Sequence, residues 1–294
     1  MNIALTGASG FIGSAIAKCA AMHGHIVHAL VRETSDRSHI EQYVSKFIVG
    51  TQDDEQILSE LLVNADVVIH DSFDWAPLKQ GDINRHLQSN LIGSIKLLEA
   101  SQDRHFIYMS SIAVHHHMHA RWNGHIDESH PTRPGSIYGA CKASVESHMW
   151  AANANRDQRI TSMRPCAVYG IDPNFKRSIG YPILQSIEEG IPYTKLGGGK
   201  FVHVNDVASA TIAAIGNPNA TPAVYNLVDC YARWADWATF AAEELGYEAE
   251  IDFSSPEQSI NVFDVTNVEN DLGVKLNRGM QGIRNQIQEI IHAR

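Results

Sequence analysis

The stretch SIYGACK, residues 136–142, sets Tyr138 and Lys142 four positions apart, and YMSSIAV upstream carries two hydroxyls, Ser110 and Ser111. At i and i+4, a tyrosine and a lysine share one face of a helix. A phenol with its ordinary pKa near 10 is a poor acid or base at neutral pH. A cationic lysine and an oxidised nicotinamide ring nearby favour the phenolate and lower that value. Such a tyrosine can give or take a proton while hydride moves to or from the nicotinamide. A third group, the hydroxyl of Ser110 or Ser111, would hold the substrate oxygen. In a chain with nine tyrosines and nine lysines the spacing alone also arises by chance. The surroundings must decide.

TGASGFIG (6–13) places Gly7, Gly10 and Gly13 between a strand-like run and a helix-like one. A dinucleotide loop needs glycine where the chain turns, where backbone meets pyrophosphate and where helix packs on strand. The helix N-terminus then offers free N–H groups to the phosphates. Ribose specificity is read at the end of the second strand, where an acid suits NAD and a base suits NADP. Here ALVRETS puts Arg32 at that place, with Glu33 after it. NADP is therefore favoured over NAD.

The elements that must position these residues follow from periodicity. Apolar runs at 2–7, 25–32, 46–50, 66–72 and 105–111 read as buried strands, and RITSMRPCAVYG (159–170) as a sixth. Helices fit 9–24, 53–65, 90–101 and a segment from Ser136 through Trp150. Strand and helix alternate, which predicts an α/β fold with a doubly wound parallel sheet of Rossmann type. Past Gly170 the rhythm loosens, and short strand-like pieces recur at FVHV, AVYNLV and EAEIDF. We expect residues 1–170 to form a dinucleotide-binding domain and 171–294 a smaller C-terminal substrate lobe, with about 201–228 returning to the first domain.

Composition narrows the classes. The 294 residues are 44% hydrophobic, enough for a sizeable core, and carry a net charge of −10. No basic cluster offsets that charge, so nucleic acid is an unsuitable partner. No apolar run reaches the ~20 residues of a membrane span, and the first strand starts at Asn2 with no leader before it. Cys19, Cys141, Cys166 and Cys230 lie far apart, as reduced thiols of a cytoplasmic protein would.

In this order, T-G-A-S-G-F-I-G, S-S-I-A-V and Y-x-x-x-K resemble the extended short-chain dehydrogenase/reductases, the NAD(P)-dependent epimerase/dehydratase family. NLIGSIKLLEA (90–100), RPCAVYG, FVHVNDVASA, YNLVD and NDLGVKLN also have counterparts in that family. The resemblance implies that Tyr138 is the acid/base, that Lys142 binds the nicotinamide ribose and tunes the tyrosine, and that Ser111 rather than Ser110 binds the substrate oxygen. For the cofactor it implies Gly7, Ser9, Gly10, Phe11, Ile12 and Gly13 in the loop. It adds Thr51 and Gln52 at the adenine, and His70, Asp71 and Ser72 in place of the H-L-A that ends the fourth strand. Asn90, Pro165 and Val168 complete the implied set. Relatives often form homodimers through the helices around 90–100 and 138–150.

Two departures bear on substrate. The Asn and Arg with which nucleotide-sugar enzymes of the family grip their substrate are Ala167 and Gly199 here, with Lys200 next to the latter. Alanine offers no hydrogen bond and glycine no charge. The pattern resembles the dihydroflavonol and aldehyde reductase branch, and implies an oxidoreductase acting on a small carbonyl or alcohol. A sugar epimerase with bound NAD and a non-catalytic dinucleotide sensor are the alternatives. Residues 115–130, HHHMHARWNGHIDESH, hold six of the sixteen histidines. Histidines so close can ligate zinc or nickel, but this is the family's variable loop and its chemistry needs no metal. With Trp122 and Trp75 these side chains are expected to shape a substrate mouth, whereas Trp234 and Trp237 read as packing residues.

Overall fold

A computed structural model describes residues 1–116 and 118–294. In chain order its strands are β1 (Asn2–Thr6), β2 (Ile26–Val31), β3 (Lys46–Val49), β4 (Val67–His70), β5 (His105–Met109), β6 (His125–Ile126), β7 (Ile160–Pro165), β8 (Ala167–Tyr169), β9 (Gly198–His203), β10 (Ala223–Leu227), β11 (Cys230–Arg233) and β12 (Val262–Phe263). The helices are α1 (Phe11–Met22), α2 (Glu55–Leu62), α3 (Ala76–Gln80), α4 (Ile83–His86), α5 (Gly93–Ala100), α6 (Ile137–Arg156), α7 (Tyr181–Glu188), α8 (Val204–Ala213), α9 (Trp234–Leu245), α10 (Thr266–Leu272) and α11 (Gly279–His292).

Among the described residues, seven strands form one parallel sheet in the order β10-β7-β5-β4-β1-β2-β3. β1, β4, β5 and β7 are buried almost throughout, as strands covered by helices on both faces must be. One layer packs Ile16, Ala20, Val207 and Ala210 of α1 and α8 against Leu5 and Ile69; the other packs Leu61, Leu97, Val145 and Met149 against Val68 and Phe106. This is the doubly wound Rossmann-type α/β fold. The order in which strands are added reverses between β1 and β4, and a ligand crevice forms at the carboxyl ends of strands at such a point.

A separate hydrophobic core forms largely from residues after Gly170. It gathers Tyr169, Phe201, Ile183, Ile283 and Ile287 around Trp237, which is fully buried. Trp234 is partly buried there, with the Lys195 ammonium 3.4 Å from its ring centroid.

Two expectations need correction. The run 159–170 is not one strand: β7 ends at Pro165, and β8 belongs to a separate three-stranded sheet with β9 and β11. Cys166 still donates its N–H to Leu227 at 3.1 Å, after which the chain leaves the main sheet. FVHV lies at the end of β9 in that second sheet, while α8 and β10 pack with the main one. EAEIDF forms only an isolated bridge, Ile251 to Tyr193.

Candidate active site

The glycine loop joins β1 to α1 at the crevice. Gly7 adopts φ +77°, and a Cβ there would lie 2.8 Å from the Ser72 nitrogen. At Gly13 a Cβ would meet the Gly7 carbonyl oxygen at 2.1 Å, so α1 can approach the loop only as glycine. Gly10 caps α1 with extended backbone and no side-chain hydrogen bond. The first N–H groups of the helix, at Phe11 and Ile12, therefore have no side-chain cap, and Ser9 is partly buried beside them. Cradle and helix end fit the pyrophosphate of a dinucleotide.

The second strand delivers Arg32 to the same edge. Its side chain is exposed and has no ion-pair partner among the described residues. Thr51 is exposed. Gln52 is partly buried and donates its amide to the Ser89 carbonyl at 2.6 Å.

Ser111, Tyr138 and Lys142 meet at the ends of β5 and α6. Ser136 caps α6 by accepting from Gly139 N at 3.0 Å, which sets Tyr138 in the first turn. Lys142 is buried and donates Nζ to the Met109 carbonyl oxygen at 2.6 Å. Ser111 accepts from Ala113 N at 3.1 Å, and its hydroxyl also faces the phenol. Pro165 ends β7 under Ser111, and Val168 is half-buried in β8.

Burial dominates the electrostatics of the protein by itself. Burial pushes the Tyr138 phenol up to about 12; the Ser111 hydrogen bond opposes this and the Asp71 carboxylate adds to it. The Lys142 ammonium, 5.8 Å from the Tyr138 ring centroid, is itself desolvated and brought down to about 8. Asp71 is pushed by burial up to about 7, against Lys142 and a hydrogen bond from Gly13 N–H. The protein alone thus holds a protonated phenol at neutral pH, the form that donates a proton.

Two residues expected to touch cofactor have their side chains committed elsewhere. His70 is buried between Thr6, 2.7 Å from Nδ1, and Ser94, 2.7 Å from Nε2. Ser94 donates to the Asn90 carbonyl, so its oxygen accepts from His70 Nε2–H, and Nδ1 accepts from Thr6. Burial keeps this imidazole neutral, with its pKa near 3. Asn90 holds the backbone of Asp74, accepting from its N–H at 2.7 Å and donating to its carbonyl at 2.9 Å. Both side chains brace the β4 loop. Ser72 continues that brace, its N–H reaching Thr6 Oγ1 at 3.3 Å.

That loop holds a residue the sequence reading passed over. Phe73 meets Tyr138 edge-on, with centroids 5.0 Å apart, and lies 5.1 Å from the Lys142 ammonium. Two aromatics within HDSFDW, at the end of a strand, were the available signal. Glu146 was missed as well, though it shares the helix face of Lys142 at i+4. It is buried against Arg164, at 2.6 Å and 2.9 Å, and accepts from Ser162 at 2.7 Å.

The histidine segment is wired into the fold. His115 is buried and accepts from Arg164 Nη1 at 2.8 Å; burial takes its pKa down to about 4. His130 accepts from His119 N at 2.8 Å, and Trp122 donates to Asp127 at 3.1 Å. Trp122 therefore packs inside the loop. Among the described residues no three His, Cys, Asp or Glu are grouped to hold a metal. His117 lies outside the described residues. Ala167 is exposed, Gly199 lies in β9, and Lys200 donates to Ser259 at 2.7 Å.

A sequence profile described as the NAD dependent epimerase/dehydratase family matches residues 3–227. The N-acetyl-alpha-D-glucosaminyl-diphospho-ditrans,octacis-undecaprenol 4-epimerase of Escherichia coli O157:H7 is 26% identical over 240 residues, 78% of this chain and 67% of that protein. The 4-hydroxy-2-methyl-3-oxo-4-farnesyl-3,4-dihydroquinoline-1-oxide ketoreductase of Stigmatella aurantiaca is 28% identical over 177 residues, 58% of this chain and 52% of that one. The chain thus spans between half and two thirds of these relatives' lengths. The structure of a UDP-glucose 4-epimerase from Thermus thermophilus in complex with NAD superposes with a TM-score of 0.80 at 21% identity, covering 100% of both chains. At that identity the likeness shows the fold.

Proposed function

The chain belongs to the NAD dependent epimerase/dehydratase family, and on that premise we propose that it is an NADP-preferring oxidoreductase of small carbonyl or alcohol substrates. The observation that carries the reading is the convergence of Ser111, Tyr138 and Lys142 beside the glycine loop. The Thermus thermophilus structure was described with NAD, so use of either dinucleotide fits the family. Arg32 is what favours NADP in this chain. The ketoreductase relative supports carbonyl chemistry, and the epimerase relative supports the competing reading.

The loop from Gly7 to Gly13, with the N–H groups of Phe11 and Ile12, would hold the pyrophosphate, and Lys142 the nicotinamide ribose. A nicotinamide bound there would supply the hydride for the carbonyl carbon, or accept one in reverse. Ser111 Oγ–H orients the carbonyl oxygen. Tyr138, protonated at neutral pH, donates its phenolic proton to the oxygen as negative charge develops on it. The Lys142 ammonium, fixed by Met109, then stabilises the phenolate. Phe73, edge-on to Tyr138 and 5.1 Å from the Lys142 ammonium, gives both groups an apolar neighbour.

Nicotinamide absorbance should fall when NADPH is mixed with small ketones or aldehydes and the protein, and UDP- or dTDP-sugars should not bind at millimolar concentration. Ala167 and Gly199 motivate the second half. Micromolar binding of a nucleotide sugar, with NAD retained through purification and no net cofactor turnover, would favour the epimerase reading instead.

A further inference from the structure

Trp75 lies against the proposed acid/base in a way proton transfer does not require. Its ring is stacked on Tyr138, with centroids 4.8 Å apart and planes at 26°, and it touches Phe73 at 4.7 Å. Trp75 remains 47% exposed, so part of a large apolar ring faces solvent at the mouth of the crevice. The position is enforced. The preceding Asp74 has both backbone groups clamped by the buried Asn90 amide, and its carboxylate accepts from Ala76 N at 3.1 Å. Trp75 is itself the N-cap of α3, and Pro77 lies in that helix's first turn. A surface side chain with no task would not need this anchoring.

We propose that Trp75 is a specificity-determining wall that selects a flat, conjugated carbonyl compound, an aryl ketone in chemical class, over a saturated or polyhydroxylated one. Because the indole covers one face of Tyr138, a carbonyl that reaches the phenol does so alongside Trp75. An indole face gains most from an offset π-system. A saturated ring meets it only through dispersion, and a sugar ring would need hydrogen-bond partners that Ala167 and Gly199 do not supply. The proposal rests on the carbonyl oxidoreductase reading above and adds the shape of the substrate to it.

The test measures binding separately from turnover. With oxidised NADP at saturation, 1-tetralone and its saturated counterpart 1-decalone are titrated by calorimetry into wild type, Trp75→Ala and Trp75→Phe. Wild type should bind the aryl ketone about tenfold more tightly than the saturated one. Trp75→Ala should remove about that factor for 1-tetralone and leave 1-decalone within roughly threefold, while Trp75→Phe restores most of the loss. Equal losses for both ketones, no loss for either, or no binding of 1-tetralone by wild type would overturn the wall. Binding that depends on Trp75 without any reduction of either ketone by NADPH would leave the wall standing and count against the oxidoreductase reading.

Discussion

Lys142 donates its ammonium to the carbonyl oxygen of Met109 at 2.6 Å, inside the fold. The bond ties α6, which carries Tyr138, to the last residue of β5, and Ser111 follows two positions on. The phenol and the serine hydroxyl are therefore held in one frame, and removing parts of that frame should have separable effects.

Replacing Tyr138 with Phe should lower turnover at least about 10²-fold while cofactor affinity stays near wild type, since only the proton-transfer hydroxyl is lost. Lys142→Met should weaken both, because it removes the ribose contact and the Met109 anchor together. Steady-state kinetics and cofactor titration check this. More than about a tenth of wild-type activity in Tyr138→Phe would end its assignment as the acid.

Arg32 is exposed at the end of β2, free to meet a 2′-phosphate with two N–H groups. A hydrogen bond to a charged group is worth roughly 1.5–3 kcal/mol, so NADP should bind about ten- to a hundredfold more tightly than NAD. Arg32→Asp should reverse the order. Equal dissociation constants in wild type would show that the guanidinium stays in solvent.

Asp71 accepts from Gly13 N–H in the loop that would face the pyrophosphate, and it titrates near pH 7. Above that pH the added negative charge opposes a phosphate, and below it the carboxyl is neutral. NAD, whose pyrophosphate does not titrate there, should bind roughly three- to tenfold more weakly at pH 8 than at pH 6. In Asp71→Asn that slope should disappear. A variant with an unchanged pH profile would show that another group controls it.

Acid should destabilise the fold through buried histidines. Burial lowers His70 to about 3 and His105, His115 and His203 to about 4. The unfolded chain takes up these protons near pH 6.5 and the folded one does not. Their neutral form therefore stabilises the fold above pH 6.5, and that stability is lost between 6.5 and about 4. The urea midpoint should drop steadily across that window. A flat profile from pH 7 to 4.5 would mean that these rings are open to solvent.

What the sequence determined by itself was local. Alternating apolar runs and amphipathic helices imply a parallel α/β sheet, and a glycine loop between the first strand and helix implies a phosphate cradle. Tyr138 and Lys142 at i and i+4 must share a helix face in any tertiary setting, because helix pitch is a property of the backbone. These features depend on residues within a few positions of one another.

What only the tertiary structure decided came from distant residues. The split of 159–170 at Cys166 depends on β10 and β9, which arrive later in the chain to pair with β7 and β8 respectively. The Asn90 amide has the right chemistry for a cofactor contact, but the fold places it against the Asp74 backbone. In the protein alone the Tyr138 phenol is raised, chiefly by desolvation, which depends on how β5, α6 and the β4 loop pack around it. Trp75 and Tyr138 are 63 positions apart, and only the folding of the β4 loop over α6 brings their rings together. Desolvation and contact between distant side chains are set by how the elements pack, and no short stretch of sequence carries that information.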